Sequence, residues 1–88
     1  QKIVGDWGCS SSMQGLSTHI LLSLLVDGSL HMQRTVQGNE TQTEGTWMTA
    51  NGLLRLQMGD ELIFTNYRQL GSTLSFELER AQMTFYRR

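Results

Sequence analysis

The chain has 88 residues, no proline and a net charge of −1, and its 39% hydrophobic content suits one compact domain, which we expect to span residues 1–88. Such a small net charge argues against disorder, which needs high charge and few large apolar side chains. The slightly acidic balance provides no basic surface for nucleic acid. No run approaches the roughly 20 apolar residues that a membrane-spanning helix requires.

Alternation of apolar and polar residues is the main pattern along the chain, and it is typical of half-buried strands. Glycine-containing turns separate the alternating segments at fairly even intervals, as in a meander of hairpins. We predict eight strands, in chain order over residues 3–9, 18–26, 30–37, 42–49, 53–58, 61–68, 73–80 and 82–87. Segment 10–17 is expected to form a turn or a short helical lid.

A meander with two free edges would promote edge-to-edge pairing between molecules, and closure of the first strand on the last removes both edges. The sequence therefore predicts an all-β fold, a small eight-stranded up-and-down antiparallel barrel. A five-stranded oligonucleotide-binding barrel is a further option at this length, but the acidic balance disfavours it.

The side chains on the predicted inner faces are mostly large and apolar, so they would fill the barrel or leave only a small cavity. They are Trp7, Leu22, Leu24, Leu30, Met32, Trp47, Leu54, Leu56, Met58, Leu62, Phe64, Leu74, Phe76, Leu78, Met83 and Phe85. Arg34 and Arg68 share the inward parity. Each is expected either at a barrel mouth, where it reaches water, or in a polar pocket.

The second predicted strand is apolar on both faces, with Leu21 and Leu25 opposite in parity to Leu22 and Leu24. A strand of this kind needs a cover on its outer side. Either segment 10–17 folds over it, or another protein docks there.

The sequence allows two strand registers for the hairpin over residues 18–37. A two-residue turn puts His31 opposite Leu24, on the other face from His19. A longer loop puts both histidines on one face, several positions apart along the ladder. Neither register brings the two imidazoles together, so we expect no metal site.

The sequence gives little support for a catalytic site. Cys9 is the only cysteine, and a small buried packing role is expected for it. No local spacing places a base beside the serines of segment 10–12, as a nucleophile would need. We expect no enzyme activity and no cofactor.

Gly5 and Trp7 on the first strand, with Arg87 on the last, resemble the structural signature of the lipocalin and calycin families. In those families the tryptophan packs against an arginine of the final strand and closes one end of the barrel. The resemblance implies structural roles for Gly5, Trp7 and Arg87. The chain looks more like the short lipocalin-like domains of bacterial extracytoplasmic proteins than like a vertebrate carrier, which implies a periplasmic or secreted location.

Two functional hypotheses follow. The first is a lipocalin-like binding domain for a small apolar or amphiphilic ligand, with contacts from Met32, Arg34, Trp47, Met58, Phe64, Arg68 and Phe76. The second is a packed-core interaction module that docks a protein partner, or a second copy of the chain, through Leu21 and Leu25.

Overall fold

Eight antiparallel strands make up most of the computed structural model, which describes residues 3–13, 15–78 and 81–88, and all side chains in those ranges other than those of Ser11 and Met13. The strands are β1 (Gly5–Met13), β2 (Leu16–Leu24), β3 (Ser29–Val36), β4 (Asn39–Ala50), β5 (Leu53–Met58), β6 (Glu61–Leu70), β7 (Thr73–Leu78) and β8 (Ala81–Arg87).

The strands follow one another around a closed barrel in chain order, each antiparallel to the next. The predicted eight-stranded up-and-down barrel is therefore confirmed. Helices are absent from the described ranges, so no helix there is long and apolar enough to cross a membrane.

The seam that closes the barrel between β1 and β8 is short. Among the described residues, its ladder pairs Trp7 with Arg87 and Gly8 with Tyr86. The N–H of Arg88 extends it by donating to the Asp6 carbonyl at 2.9 Å. Every other seam joins strands that are neighbours in sequence, so closure depends on this single sequence-distant pairing.

The tight turn between β4 and β5 shows why the strand boundaries were predictable. Asn51 and Gly52 have φ angles of 55° and 81°, the left-handed values that a two-residue type I′ hairpin requires. Asn and Gly tolerate these values best. The ladder therefore runs up to Ala50 and resumes at Leu53, which is paired with it.

The helical lid expected over segment 10–17 is wrong, because that segment continues the sheet. β1 runs on to Met13 and β2 begins at Leu16, and these two residues face each other in the ladder. Ser10, Ser12 and Ser17 are exposed in these strands, so their polar side chains meet solvent where the hairpin is lengthened. Residue 14 lies outside the described residues, as do residues 79 and 80 of the predicted strand 73–80.

A continuous apolar core fills the barrel. Its members are Ile3, Trp7, Ile20, Leu22, Leu24, Leu30, Met32, Trp47, Leu54, Leu56, Met58, Leu74, Phe76, Leu78 and Phe85. The rings of Phe76 and Phe85 stack with centroids 5.1 Å apart. The inward parity predicted for every strand except β6 is confirmed by this set, with Met83 packed against it.

The prediction for β6 is wrong by one residue, so its two faces are exchanged. Leu62 and Phe64 are 44% and 62% exposed on the outer surface, and Arg68 is exposed with the same parity. Ile63 and Tyr67 pack against the core instead. β6 carries apolar residues on both faces, so its alternation alone supported either choice.

The barrel has two unlike ends. The closed end holds the turn segments 25–28, 51–52 and 71–72 together with the seam between β1 and β8. The mouth is the opposite end, where β3 turns into β4 and β5 turns into β6. Large buried side chains fill the interior towards the closed end, which leaves the mouth as the place where inward-facing groups meet solvent.

Candidate functional site

A pocket of about 240 Å³ opens at the mouth, and we call it the mouth pocket. Its lining residues are Met32 and Arg34 from β3, Thr41 and Thr43 from β4, and Met58 and Glu61 from either side of the turn between β5 and β6. The volume is slightly below the range usual for drug-sized ligands, so it suits a small molecule or part of a larger one.

Strand register places these side chains in the mouth pocket. Arg34 pairs with Thr41 across the ladder between β3 and β4, and Met32 pairs with Thr43 one step deeper. Paired residues on adjacent strands point to the same face of a sheet. The two cross-strand pairs therefore form one wall, with apolar groups towards the core and polar groups towards solvent.

The opposite wall comes from the turn at residues 59–60. This two-residue turn pairs Met58 with Glu61, so the carboxylate takes the inward parity of Met58. Met58 is 7% exposed and belongs to the core, whereas Glu61 is exposed at the rim. The pocket thus has a methionine floor and a charged rim.

Among the described residues that line the mouth pocket, the charged groups are the Arg34 guanidinium and the Glu61 carboxylate. Arg34 is half-buried, and its Nε is buried from solvent. Glu61 is exposed across the pocket from it. The hydroxyls of Thr41 and Thr43 add groups that donate and accept hydrogen bonds. The arrangement can bind a small molecule that has an apolar part and a charged or polar head.

Three of the seven predicted ligand contacts, Met32, Arg34 and Met58, lie together in the mouth pocket. Trp47 is 8% exposed, and its indole N–H donates to the Leu25 carbonyl at 2.9 Å, which ties β4 to a closed-end turn. Phe76 is 1% exposed in the core.

Phe64 and Arg68 are the two predicted contacts that the structure removes from the interior, since both point outwards from β6. The same parity error hid Glu61, which faces inwards. A signal for it was present: if the glycine-containing turn at 59–60 has two residues, Met58 must pair with Glu61. Thr41 and Thr43 share the parity of Trp47 and could have been found in the same way.

The closed end carries the geometry that the lipocalin-like signature implies. The Arg87 guanidinium carbon lies 4.3 Å from the centre of the Trp7 ring, a cation–π contact. Trp7 is fully buried and its indole N–H donates to the Ile3 carbonyl at 2.9 Å. The Nη1 of Arg87 donates to the Val4 carbonyl at 2.9 Å. These bonds fix the chain segment before β1 across the end of the barrel.

Gly5 allows Arg87 to take that position. Its φ of 141° is one that residues with a side chain rarely adopt, and a Cβ there would lie 2.5 Å from Arg87 Nη1. The glycine is thus required both by backbone conformation and by the close approach of the guanidinium.

The two histidines share the outer surface, as the longer-loop register of the hairpin predicted. His19 pairs with Thr35 and His31 pairs with Ser23, four positions apart along β2. Local spacing placed no base beside the serines, but pairing between β1 and β2 does, since Ser10 Oγ is 2.8 Å from His19 Nδ1. Both residues are exposed on the outer surface of the barrel.

Cys9 faces inwards between the core and the mouth and is half-buried. Burial raises the pKa of its thiol, and a hydrogen bond with the Thr84 backbone opposes the rise in part. A raised pKa disfavours the thiolate that a nucleophile needs. Within the described ranges, no group of three or more histidine, cysteine, aspartate or glutamate side chains could hold a metal ion.

Leu21 and Leu25 do not form a continuous apolar face. Leu21 is half-buried on the outside of β2, and Leu25 is 48% exposed in the turn that follows. Ser23 lies between them and donates a hydrogen bond to Asp6 at 2.8 Å. A polar pair therefore separates the two leucines.

Together the fold and the mouth pocket define a small closed antiparallel β-barrel that has one sealed end and one small, charged opening. Among solved structures, the chain is similar to a lipoprotein YedD from Klebsiella pneumoniae subsp. pneumoniae MGH 78578, with a TM-score of 0.72 and 19% sequence identity over 97% of this chain and 70% of that chain. No protein-family model matches the chain, and no curated protein matches it. The likeness shows a shared fold.

Proposed function

We propose that the chain is a non-enzymatic, lipocalin-like binding domain that takes a small amphiphile in the mouth pocket. The anionic head of the ligand would contact Arg34, and its apolar part would lie against Met32 and Met58. The observation that carries the proposal is that these three residues, members of the seven-residue contact set predicted from the sequence, line one pocket.

The size of the mouth pocket supports a short apolar chain over a large hydrophobic ligand. The interior towards the closed end is occupied by Trp7, Phe76 and Phe85, each 1% exposed or less. A ligand chain can therefore enter only as far as the methionine floor. Arg34 would form a charge-assisted hydrogen bond with an anionic head, and such bonds are strong where water is partly excluded.

An extracytoplasmic location, periplasmic or secreted, belongs to the same proposal. It is supported by the likeness to a bacterial lipoprotein and by the cation–π contact between Trp7 and Arg87, which fits the lipocalin-like signature.

The first experiment compares octanoate, octylamine and octan-1-ol as probes, with native mass spectrometry to report the adduct and calorimetric titration to report affinity. We expect octanoate to bind most tightly because of Arg34. Arg34→Gln should weaken octanoate binding by about tenfold or more, the effect of losing a hydrogen bond to a charged group. Glu61→Gln should strengthen it, because a like charge is removed from the rim.

Arg68→Gln is the matched control, since it makes the same change of charge on the outer surface and should leave octanoate affinity unchanged. If no probe binds, or if Arg34→Gln and Arg68→Gln bind octanoate equally well, the mouth pocket is not a site for anionic amphiphiles.

The second candidate function is a packed-core interaction module that docks a partner through Leu21 and Leu25. The 48% exposure of Leu25 favours it, whereas the Ser23–Asp6 hydrogen bond between the two leucines weakens it. In the same native mass spectra, an oligomer without an adduct that is dispersed by changing both Leu21 and Leu25 to serine would favour this function over ligand binding.

A further inference from the structure

A group of exposed apolar side chains lies on the outer surface of β4, β5 and β6, and we call it the outer patch. It contains Met48, Leu53, Leu62 and Phe64, which are 49%, 42%, 44% and 62% exposed, together with Arg55. Cross-strand pairing puts Met48, Arg55 and Phe64 in one row. Methionine, aromatic residues and arginine are the types that protein interfaces favour.

Arg55 in the outer patch is held among apolar groups. Its guanidinium carbon lies 5.9 Å from the centre of the Phe64 ring, and its Nη1 is 3.4 Å from Met48 Sδ. These contacts direct the positive charge to one side of Phe64 on the exposed face.

A negative charge lies on the other side of Phe64. Glu77 of β7 and Phe64 both line a surface hollow of about 290 Å³, together with Leu53, Thr65, Asn66 and Gln82. The Glu77 N–H donates to Thr65 Oγ1 at 3.1 Å, which fixes β7 against β6 beside this hollow. Phe64 therefore has a cation on the side of β5 and a carboxylate on the side of β7.

Charges of opposite sign on either side of an exposed aromatic ring make the surface complementary to itself. In a two-fold dimer, residue i of one copy contacts residue j of the other, and residue j contacts residue i. An axis through Phe64 would bring Arg55 of each copy towards Glu77 of the other. Each Phe64 ring would lie against the hollow next to Phe64 of the other copy. Aromatic side chains that fill pockets near the centre of an interface often contribute most of the binding energy.

We propose that the outer patch is the interface of a two-fold homodimer, with Phe64 at its centre and reciprocal ion pairs between Arg55 and Glu77. The surface is distinct from the mouth pocket, so the dimer would leave ligand binding accessible. It also differs from the leucine surface of the sequence-based hypothesis, because it lies on β4, β5 and β6 and its central row contains Arg55 between Met48 and Phe64.

Sedimentation velocity of the chain, from about 1 µM to about 1 mM, covers the range in which a modest interface associates. We expect a dimer whose population rises with concentration. Phe64→Ser should raise the dissociation constant about tenfold or more, as the loss of a central anchor does. Arg55→Glu and Glu77→Arg should each raise it about fivefold, the upper range for an exposed ion pair.

The double variant Arg55→Glu with Glu77→Arg restores the opposite charges in exchanged positions, and its dissociation constant should return to within about threefold of the parent value. This rescue separates a broken interface from a misfolded chain. Leu70→Ser is the matched control: Leu70 is 64% exposed on the same strand but lies outside the outer patch, so the variant should dimerise normally.

Three results would overturn the proposal. The chain could remain monomeric over the whole concentration range, Phe64→Ser could dimerise as well as the parent, or the double variant could associate no better than the single ones.

Discussion

The closed end and the mouth are built from the same strands, but the side chains that face inwards are buried at the closed end and reach solvent at the mouth. At the closed end, Trp7, Leu24 and Leu30 are at most 2% exposed, and the tryptophan is covered by the Arg87 guanidinium. At the mouth, inward-facing positions carry Arg34 and Glu61, which reach solvent. One end buries apolar surface, and the other presents polar groups around a small opening.

β3 shows the change within a single strand. Its inward positions are Leu30 near the closed end, Met32 in the middle, and Arg34 and Val36 at the mouth, with exposure rising from buried to half-buried. A charged residue therefore enters the inner face only towards the mouth of this strand, while the alternation of faces is maintained. We infer that stability is concentrated at the closed end and binding chemistry at the mouth, so substitutions at the two ends should have separable effects.

The largest effect expected at the closed end is that of Trp7→Ala. Removing a fully buried indole leaves a cavity and should lower the free energy of unfolding by about 3 to 5 kcal/mol. Urea denaturation followed by the fluorescence of Trp47 measures this loss. Thr43→Ala at the mouth should cost about 0.5 kcal/mol or less.

If Trp7→Ala does not fold, Trp7→Phe provides the same comparison with a smaller cavity. If the closed-end substitution and Thr43→Ala lower the free energy of unfolding equally, stability is not concentrated at the closed end.

An intermediate effect is expected for Gly5→Ala. The added Cβ would be strained at a φ of 141° and would displace Arg87 from above Trp7, so we expect a loss of about 1 to 3 kcal/mol. Gly52→Ala is the control, because Gly52 also has a positive φ but a Cβ added there would meet no atom within 4 Å. Chemical denaturation should show the larger loss for Gly5→Ala, and a larger loss for Gly52→Ala would refute the role given to Arg87.

The smallest effect concerns Asp27, in the closed-end turn before β3. The Ser29 hydroxyl donates to Asp27 Oδ1 at 2.6 Å and the Ser29 N–H donates to the same atom at 2.9 Å, and these bonds lower the pKa of Asp27 below its ordinary value of 3.8. The stability that they contribute is present above that value and is lost as the pH falls through the lowered pKa.

Ser29→Ala should raise the pKa of Asp27 towards its ordinary value, because the hydroxyl is the main cause of the shift. An NMR titration of the Asp27 carboxyl carbon follows the change directly. An unchanged midpoint in the variant would show that the hydroxyl does not stabilise the carboxylate.

Sequence reasoning predicted the closed end well because several local signals agree there. The Gly5, Trp7 and Arg87 positions, the Asn51-Gly52 turn and the alternation in β7 each point to the same barrel. A fully buried apolar face on one side of a strand allows only one register.

The mouth was predicted only in part because its signals conflict. β6 has Leu62 and Phe64 on one face and Ile63 and Tyr67 on the other, so hydrophobicity alone cannot choose the inward one. Which face of β6 points inwards depends on the length of the turn before Glu61 and on the pairing of β6 with β5. The serines of segment 10–12 were likewise expected in a turn or a short helical lid, although their pairing with β2 makes them part of a strand.

The short seam between β1 and β8 has a consequence for how the barrel forms. Trp7 and Arg87 are roughly 80 residues apart in sequence, whereas each hairpin closes a short loop. Since each doubling of loop length costs about 0.6 kcal/mol of closure entropy, this contact costs roughly 2 kcal/mol more than a hairpin of about 10 residues. Burial of one indole offsets that cost, because a large buried side chain contributes about 1.5 to 3 kcal/mol. Burial of this one tryptophan is therefore large enough to offset the extra entropy lost when the linear meander becomes a ring.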